Sequence, residues 1–156
     1  MGEKTLYLVD GHSLLFKAFY AIRGRLTSPD CMPTNAIYGF VQTINKLIDE
    51  HDPRWLCVCF DLPGKTFRND IYPEYKANRP PAPEDLNIQT PHAKRFITLR
   101  GARSLEGETF EADDLIATLA QRAADEGRDV RIVSSDKDLC QLVSDRIFLI
   151  RGKRND

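Results

Sequence analysis

The chain has 156 residues, 42% of them hydrophobic and 29% charged, with a net charge of −1 and a pI of about 6.3. That composition suits one globular domain with a sizeable core, and the longest apolar runs fall far short of the ~20 residues that cross a bilayer, so a cytoplasmic protein without membrane association is expected. The near-zero balance gives no global sign of a nucleic-acid partner, and the four cysteines show neither CxxC spacing nor histidines at ligand-like distances, which argues against zinc and for reduced, buried thiols.

In chain order, Thr5 to Val9 reads as a buried strand and His12 to Ile22 as a helix, with apolar residues Leu15, Phe16, Phe19 and Ile22 at helical spacing. Gly24 to Pro33 is a loop. Thr34 or Asn35 caps a second helix whose apolar face carries Ile37, Phe40, Val41, Ile44, Leu47 and Ile48, and Pro53 breaks the chain before a second strand at Arg54 to Phe60. Periodicity then vanishes over about 62–83, an insertion punctuated by prolines rather than a packed element. A helix resumes near Pro83-Glu84-Asp85, a short strand falls near Leu105, and Phe110 to Glu126 reads as a helix stopped by Gly127. Val130 to Ser134 is a strand, Lys137 to Val143 two helical turns, and Arg146 to Ile150 a last strand. Strands alternating with helices imply a three-layer α/β domain spanning 1–156 around a mostly parallel sheet, with the insertion as its one irregular part.

Three strand-like runs end on an acid: Leu6-Tyr-Leu-Val-Asp10, Trp55-Leu-Cys-Val-Cys-Phe-Asp61 and Val130-Arg-Ile-Val-Ser-Ser-Asp136. Parallel strands would bring these acids to the carboxyl edge of the sheet, where open α/β sheets bind ligands. Glu111, Asp113 and Asp114 are placed to join them, as is Asp138. Each has a purely structural alternative: the Glu111 group as favourable charges at a helix N-terminus, Asp136 and Asp138 as caps. Unit charges about 5 Å apart repel by roughly 3 kcal/mol at an effective dielectric near 20, so several carboxylates remain ionised together only with cations between them. An oxygen-only donor set favours Mg²⁺ or Mn²⁺ over zinc or copper.

Charge distribution adds a second signal. Between Gly64 and Arg103, eight bases face four acids, and within the insertion Arg68, Lys76 and Arg79 are interleaved with Phe67, Tyr72 and Tyr75. Lys and Arg neutralise phosphates, and aromatic rings stack on bases without demanding a sequence. The alternative is a solvated loop with incidental charge, and it weakens once a metal site lies beside it.

The segments Leu8-Val-Asp-Gly-His-Ser13, Thr34-Asn-Ala-Ile-Tyr-Gly-Phe40, Val58-Cys-Phe-Asp61, Gly64-Lys-Thr-Phe-Arg68, Tyr72-Pro-Glu-Tyr-Lys-Ala-Asn-Arg-Pro-Pro81, Phe110-Glu-Ala-Asp-Asp114 and Ser134-Ser-Asp-Lys-Asp-Leu-Cys-Gln-Leu-Val-Ser-Asp145 resemble, in order and over nearly the whole chain, the 5′-nuclease domain at the N-terminus of bacterial DNA polymerase I, related to flap endonucleases. The resemblance implies a PIN-like, Rossmann-like fold with a helical-arch insertion, two divalent ions, and removal of 5′ DNA ends or flaps by a monomer, and it leaves open whether a polymerase domain follows in a longer parent chain. It places Asp10, Asp61, Glu111, Asp113, Asp114, Asp136 and Asp138 among the metal carboxylates. It also puts Lys76 and Arg79 at the scissile phosphate, in an arch that includes Arg68, Tyr72 and Tyr75. The catalytic set it implies is therefore Asp10, Asp61, Lys76, Arg79, Glu111, Asp113 and Asp114.

Two substitutions depart from the family pattern: His12 stands at a small polar position, and Gly107 lies earlier than the glycine before Glu111. The pattern also continues past Asp156 into a further Asp-containing motif and a helix-hairpin-helix element. Three readings follow: a Mg²⁺-dependent 5′-to-3′ nuclease on DNA; a metal- and DNA-binding module that does not cut; and a PIN-type ribonuclease, which shares the acids but leaves the long insertion unexplained.

Overall fold

Short runs rich in Val, Ile, Leu and Cys form the centre of a single sheet because they are apolar on both faces and covered on both, while the edge strand Arg103–Glu106 is largely exposed. A computed structural model describes residues 5–22, 24 and 26–151; the segment reaching Asp156 lies outside the described residues, as does Arg25 of the loop expected at Gly24 to Pro33. The chain order is β1 (Leu6–Asp10), α1 (Gly11–Ala21), α2 (Asn35–His51), β2 (Trp55–Phe60), α3 (Phe67–Ile71), α4 (Glu84–Leu99), β3 (Arg103–Glu106), α5 (Ala112–Asp125), β4 (Val130–Val133), a 3-10 turn (Asp138–Leu142) and β5 (Ile147–Ile150).

All four strand pairings are parallel, and the sheet order is β3-β2-β1-β4-β5. The chain builds outward from β1 through β2 to β3, then returns to place β4 on the other flank of β1. The point where the winding reverses, between β1 and β4, is where such sheets open a crevice at the carboxyl ends of their strands. The sheet is PIN-like in layout, as the sequence reading expects.

Side-chain alternation along the strands decides which layer each residue serves. Tyr7, Val9, Val58 and Phe60 face one layer and pack with Leu15, Phe40, Ile44, Leu86 and Ile97 of α1, α2 and α4. Leu8, Cys57, Cys59 and Ile132 face the other, against Ala112, Ile116 and Ala120 of α5 and Leu139 of the 3-10 turn. Continued by one more step of two residues, this second parity carries Asp10, Asp61 and Ser134 toward the α5 side of the sheet. Cys57 and Cys59 are buried there as free thiols, as expected, whereas Cys31 and Cys140 are exposed.

Helix boundaries shift slightly from the sequence reading, for local reasons. α1 begins at Gly11 because Asp10 serves as its cap, accepting from the Ser13 amide at 3.0 Å. A glycine is required at that first position: a Cβ there would lie 2.6 Å from Phe60 Cε1 and 2.8 Å from Val58 Cγ1. α5 begins at Ala112 rather than Phe110, with Glu111 as the cap residue, and Gly127 ends it at φ +79°. The turns expected over Lys137 to Val143 are a 3-10 helix of five residues.

The insertion is the element the sequence reading misjudges. It is docked, not unpacked. The Phe67 amide donates to the Thr109 carbonyl at 3.0 Å, the Phe67 ring sits 5.6 Å from that of Phe110, and a five-residue helix is followed by consecutive tight turns through Arg79. Hydrophobic periodicity could not reveal this, because the segment is fastened by backbone, aromatic and ionic contacts to the α5 entrance instead of by an apolar stripe.

Candidate metal and nucleic-acid cleft

At the carboxyl end of the sheet lies a cleft of about 380 Å³ lined by Asp10, His12, Ser13, Phe16, Lys17, Asp61, Tyr75, Lys76, Arg79, Glu111, Asp113, Ser135, Asp136 and Asp138. Six acids thus meet three permanent cations in one concavity. The acids arrive from four parts of the chain: Asp10 from the end of β1, Asp61 just after β2, Glu111 and Asp113 from the cap and first turn of α5, Asp136 and Asp138 from the segment after β4.

Backbone donors fix several of these carboxylates. Asp10 is 5% exposed; its Oδ1 takes the Ser13 amide and its Oδ2 takes the Ser134 hydroxyl at 3.0 Å. Burial pushes its carboxyl above the usual range; the Ser13 and Ser134 hydrogen bonds oppose that shift, and the charge of Asp61 adds to it. Asp61 Oδ1 accepts the Ala112 amide at 2.6 Å, which holds the α5 entrance against the end of β2. Asp136 Oδ1 accepts the Asp138 amide at 2.9 Å, closing a local turn. Asp113 is raised to about 7, first by burial and then by the charges of Asp10, Asp136, Asp61 and Glu111. One carboxyl thus feels four others, a crowding that a cation between them would relieve.

Two of the insertion's bases reach back to the α5 entrance. Lys76 Nζ lies 2.9 Å from Glu111 Oε2, from a residue at φ +56° whose ammonium also sits 5.1 Å from the Tyr75 ring centroid. Burial lowers the Lys76 pKa, but its contacts with Glu111 and Tyr75 together more than offset it, leaving the amine above its ordinary value. Arg68 clasps Asp114 with both terminal nitrogens at 2.7 Å and stacks 4.7 Å from the Phe67 centroid. That fork, with the Glu111 amide on Asp114 Oδ2 at 3.0 Å, holds Asp114 below the ordinary carboxylate range.

The structure therefore sorts the sequence-derived residues. Asp10, Asp61, Glu111, Asp113, Asp136 and Asp138 line one cleft with Tyr75, Lys76 and Arg79. Asp114, Arg68 and Tyr72 do not. Asp114 is engaged by Arg68, and the pair fastens the insertion to the α5 entrance. Among the described residues, no three acid, histidine or cysteine side chains converge closely enough to form a ready-made coordination shell. Asp10, Asp61, Glu111 and Asp136 each hold a backbone donor or a cation. The donor set still suits a hard cation, being oxygen-rich and carrying an excess of negative charge.

Sequence reasoning missed the α1 contribution: Ser13, Phe16 and Lys17 line the cleft, and so does His12, flagged only as a family departure. Their signal was helical spacing from Asp10, since residues three and seven positions on share its face. It also missed Ser134 and Ser135, overlooked as small polar residues preceding an acid.

A parallel α/β sheet with this winding and an acidic cleft at its switch point defines a PIN-like protein. The chain belongs to the 5′-3′ exonuclease family through its N-terminal resolvase-like domain, whose description matches residues 5–156. It is 46% identical over 153 residues to a 5′-3′ exonuclease of Aquifex aeolicus, covering 98% of this chain and 53% of that protein. It is 43% identical over 143 residues to the thermostable DNA polymerase I of Thermus thermophilus, covering 92% of this chain and 17% of that one. The chain thus spans about half the length of the first relative and a small part of the second. Among solved structures, bacteriophage T5 D15 flap endonuclease, in a pseudo-enzyme-product complex with DNA and metal ions, matches with a TM-score of 0.69 at 24% identity, over 94% of this chain and 54% of that chain. The catalytic core of Rad2 bound to a DNA substrate matches at 0.54 and 17% identity, over 95% and 44%. At those identities the two structures establish the shared fold.

Proposed function

We propose that this chain carries a Mg²⁺-dependent 5′ nuclease, with Mn²⁺ able to substitute, that hydrolyses phosphodiesters at 5′ DNA ends or flaps, acting as a monomer in the cytoplasm. The observation that carries this reading is the single cleft in which six acids from four parts of the chain face Lys17, Lys76 and Arg79. Acids alone suggest a cation buffer and bases alone a phosphate groove; their juxtaposition suits a phosphodiester held beside metal. The family and the named activity of the Aquifex relative point the same way.

In this reading Asp10, Asp61, Glu111, Asp113, Asp136 and Asp138 hold one or two divalent ions. Bound ions there would supply a lowered water pKa and charge relief at the leaving oxygen. Lys76 and Arg79 bind the scissile phosphate, Tyr75 stacks beside it, and Arg68 with Tyr72 forms the outer part of the arch. For Lys76 to reach a phosphate it exchanges its Glu111 partner for the substrate, which frees Glu111 toward the cation. Asp10 and Asp61 keep the α1 and α5 entrances in place through their amide contacts.

A second reading, a module that binds metal or DNA without cutting, draws on one observation: Lys76 is engaged with an acid, and no coordination shell stands ready among the described residues. Incubating the chain with a 5′-flap DNA and a single-stranded RNA, with Mg²⁺, with EDTA, and as Asp113→Ala, separates the readings. DNA cleavage lost in both controls supports the nuclease. Binding without cleavage favours the module, and preferential RNA cutting favours a PIN-type ribonuclease.

A further inference from the structure

One buried hydroxyl joins the two halves of the acidic cleft. Ser134 follows β4, next to Asp10 across the β1–β4 seam, since Val9 pairs with Val133 in register. It is 6% exposed. Its hydroxyl donates to Asp10 Oδ2 at 3.0 Å and accepts the Asp136 amide at 3.1 Å. Asp136 in turn accepts the Asp138 amide, and Asp10 holds the Ser13 amide of α1. The neighbouring hydroxyls of Ser13 and Ser135 lie 3.0 Å apart, a second tie between the same two segments. The direct link from Asp10 to the turn carrying Asp136 and Asp138 therefore passes through the Ser134 oxygen, on a buried residue.

We infer that Ser134 is a positioning residue for the cleft: its hydroxyl fixes how the Asp10 carboxylate is turned, and so where its remaining lone pairs point, and where the Asp136–Asp138 turn sits relative to it. This rests on the proposed nuclease reading, since it assigns Ser134 a role toward the cation that those acids hold. The physical argument is one of geometry and valence. Asp10 has two oxygens; Oδ1 is committed to α1 and Oδ2 to Ser134, so their remaining lone pairs point in directions those donors set. Remove the hydroxyl and the Asp10 carboxylate keeps only the Ser13 amide to orient it, while the Asp136 amide loses its acceptor and the turn carrying two further acids loses its direct tie to Asp10. Groups that orient metal ligands in this way typically change metal affinity or activity by ~10- to 100-fold when deleted.

The test uses the chain as it stands, with Ser134→Ala and Ser134→Thr. Mn²⁺ uptake is followed by titration calorimetry, folding by circular dichroism and thermal melting, and 5′-flap DNA cleavage by separate kcat and KM. Ser134→Ala is expected to fold, to weaken Mn²⁺ binding by ~10- to 100-fold, and to lower kcat while leaving KM for DNA in place. Ser134→Thr keeps the oxygen and is expected to restore both. Ser134→Cys, with the serine's shape and only a weak thiol donor, carries the same expectation as alanine and replaces it should alanine prevent folding. A folded Ser134→Ala or Ser134→Cys that takes up Mn²⁺ like the unaltered chain overturns the inference alone. Absence of Mn²⁺ uptake by the unaltered chain overturns the nuclease reading, and this inference with it.

Discussion

Asp113→Asn is expected to make the metal-free protein more stable at pH 8 while weakening its hold on a divalent cation. The Asp113 carboxyl is raised to about 7 by burial and by the charges of Asp10, Asp136, Asp61 and Glu111. Its unfolded value is near 4, so the protonated carboxyl's contribution is fully present below about pH 4 and is lost as pH rises through about 7. Three units correspond to roughly 4 kcal/mol for a dry site, but Asp113 is only partly buried, and solvent screening reduces this to about 1–2 kcal/mol. An asparagine is neutral at every pH. In EDTA at pH 8 the variant should therefore melt roughly 2–8 °C above the parent, and at pH 5 the two should nearly coincide. Adding Mn²⁺ at pH 8 should reverse the order, because the parent binds the ion more tightly and gains more stability from it. Thermal melts across pH in EDTA, repeated with Mn²⁺, decide it. A gain of the same size at pH 5 and pH 8, or none at either, would refute the idea that crowded charge controls this cleft.

Three further outcomes follow from the geometry. Gln89 is fully buried, accepts the Ile37 amide at the α2 entrance and donates to Asn35 Oδ1, so Gln89→Leu leaves two polar groups without partners and should cost about 2–4 kcal/mol, read from the urea midpoint. Gly11→Ala forces a methyl against Phe60 and Val58 and should cost about 1–3 kcal/mol in the same assay. Lys76→Ala should weaken DNA binding and reduce the slope of log affinity against log salt by ~0.7–0.9, the share of one phosphate contact; an unchanged slope would show that the lysine stays with Glu111.

Much of this protein was legible in its residues. Apolar runs of the right length placed β1, β2, β4 and β5 to within about one residue, Leu105 marked only the position of β3, helical periodicity placed α1, α2 and α5, and the Pro83-Glu84-Asp85 start signal placed α4. The acids ending those runs pointed to the cleft's location, because parallel strands share a carboxyl edge. Family motifs covered the same positions. Periodicity failed where apolar burial is not what holds the chain: the insertion from Phe67 to Arg79 is tied down by the Arg68–Asp114 fork, the Lys76–Glu111 pair and the Phe67–Phe110 contact.

What only the tertiary structure decided is which polar groups meet. Asp113 and Asp114 are adjacent in sequence and alike in chemistry, yet a step of about 100° around α5 turns one into the cleft and the other toward Arg68. Ser134 is an unremarked residue before Asp136 until strand pairing sets it beside Asp10, 124 positions away. Local sequence governs where the backbone bends and which face is apolar, because those preferences act over a few residues. The partner of a carboxylate is chosen by whatever the completed sheet brings within 3 Å, and that is settled only when distant segments have packed.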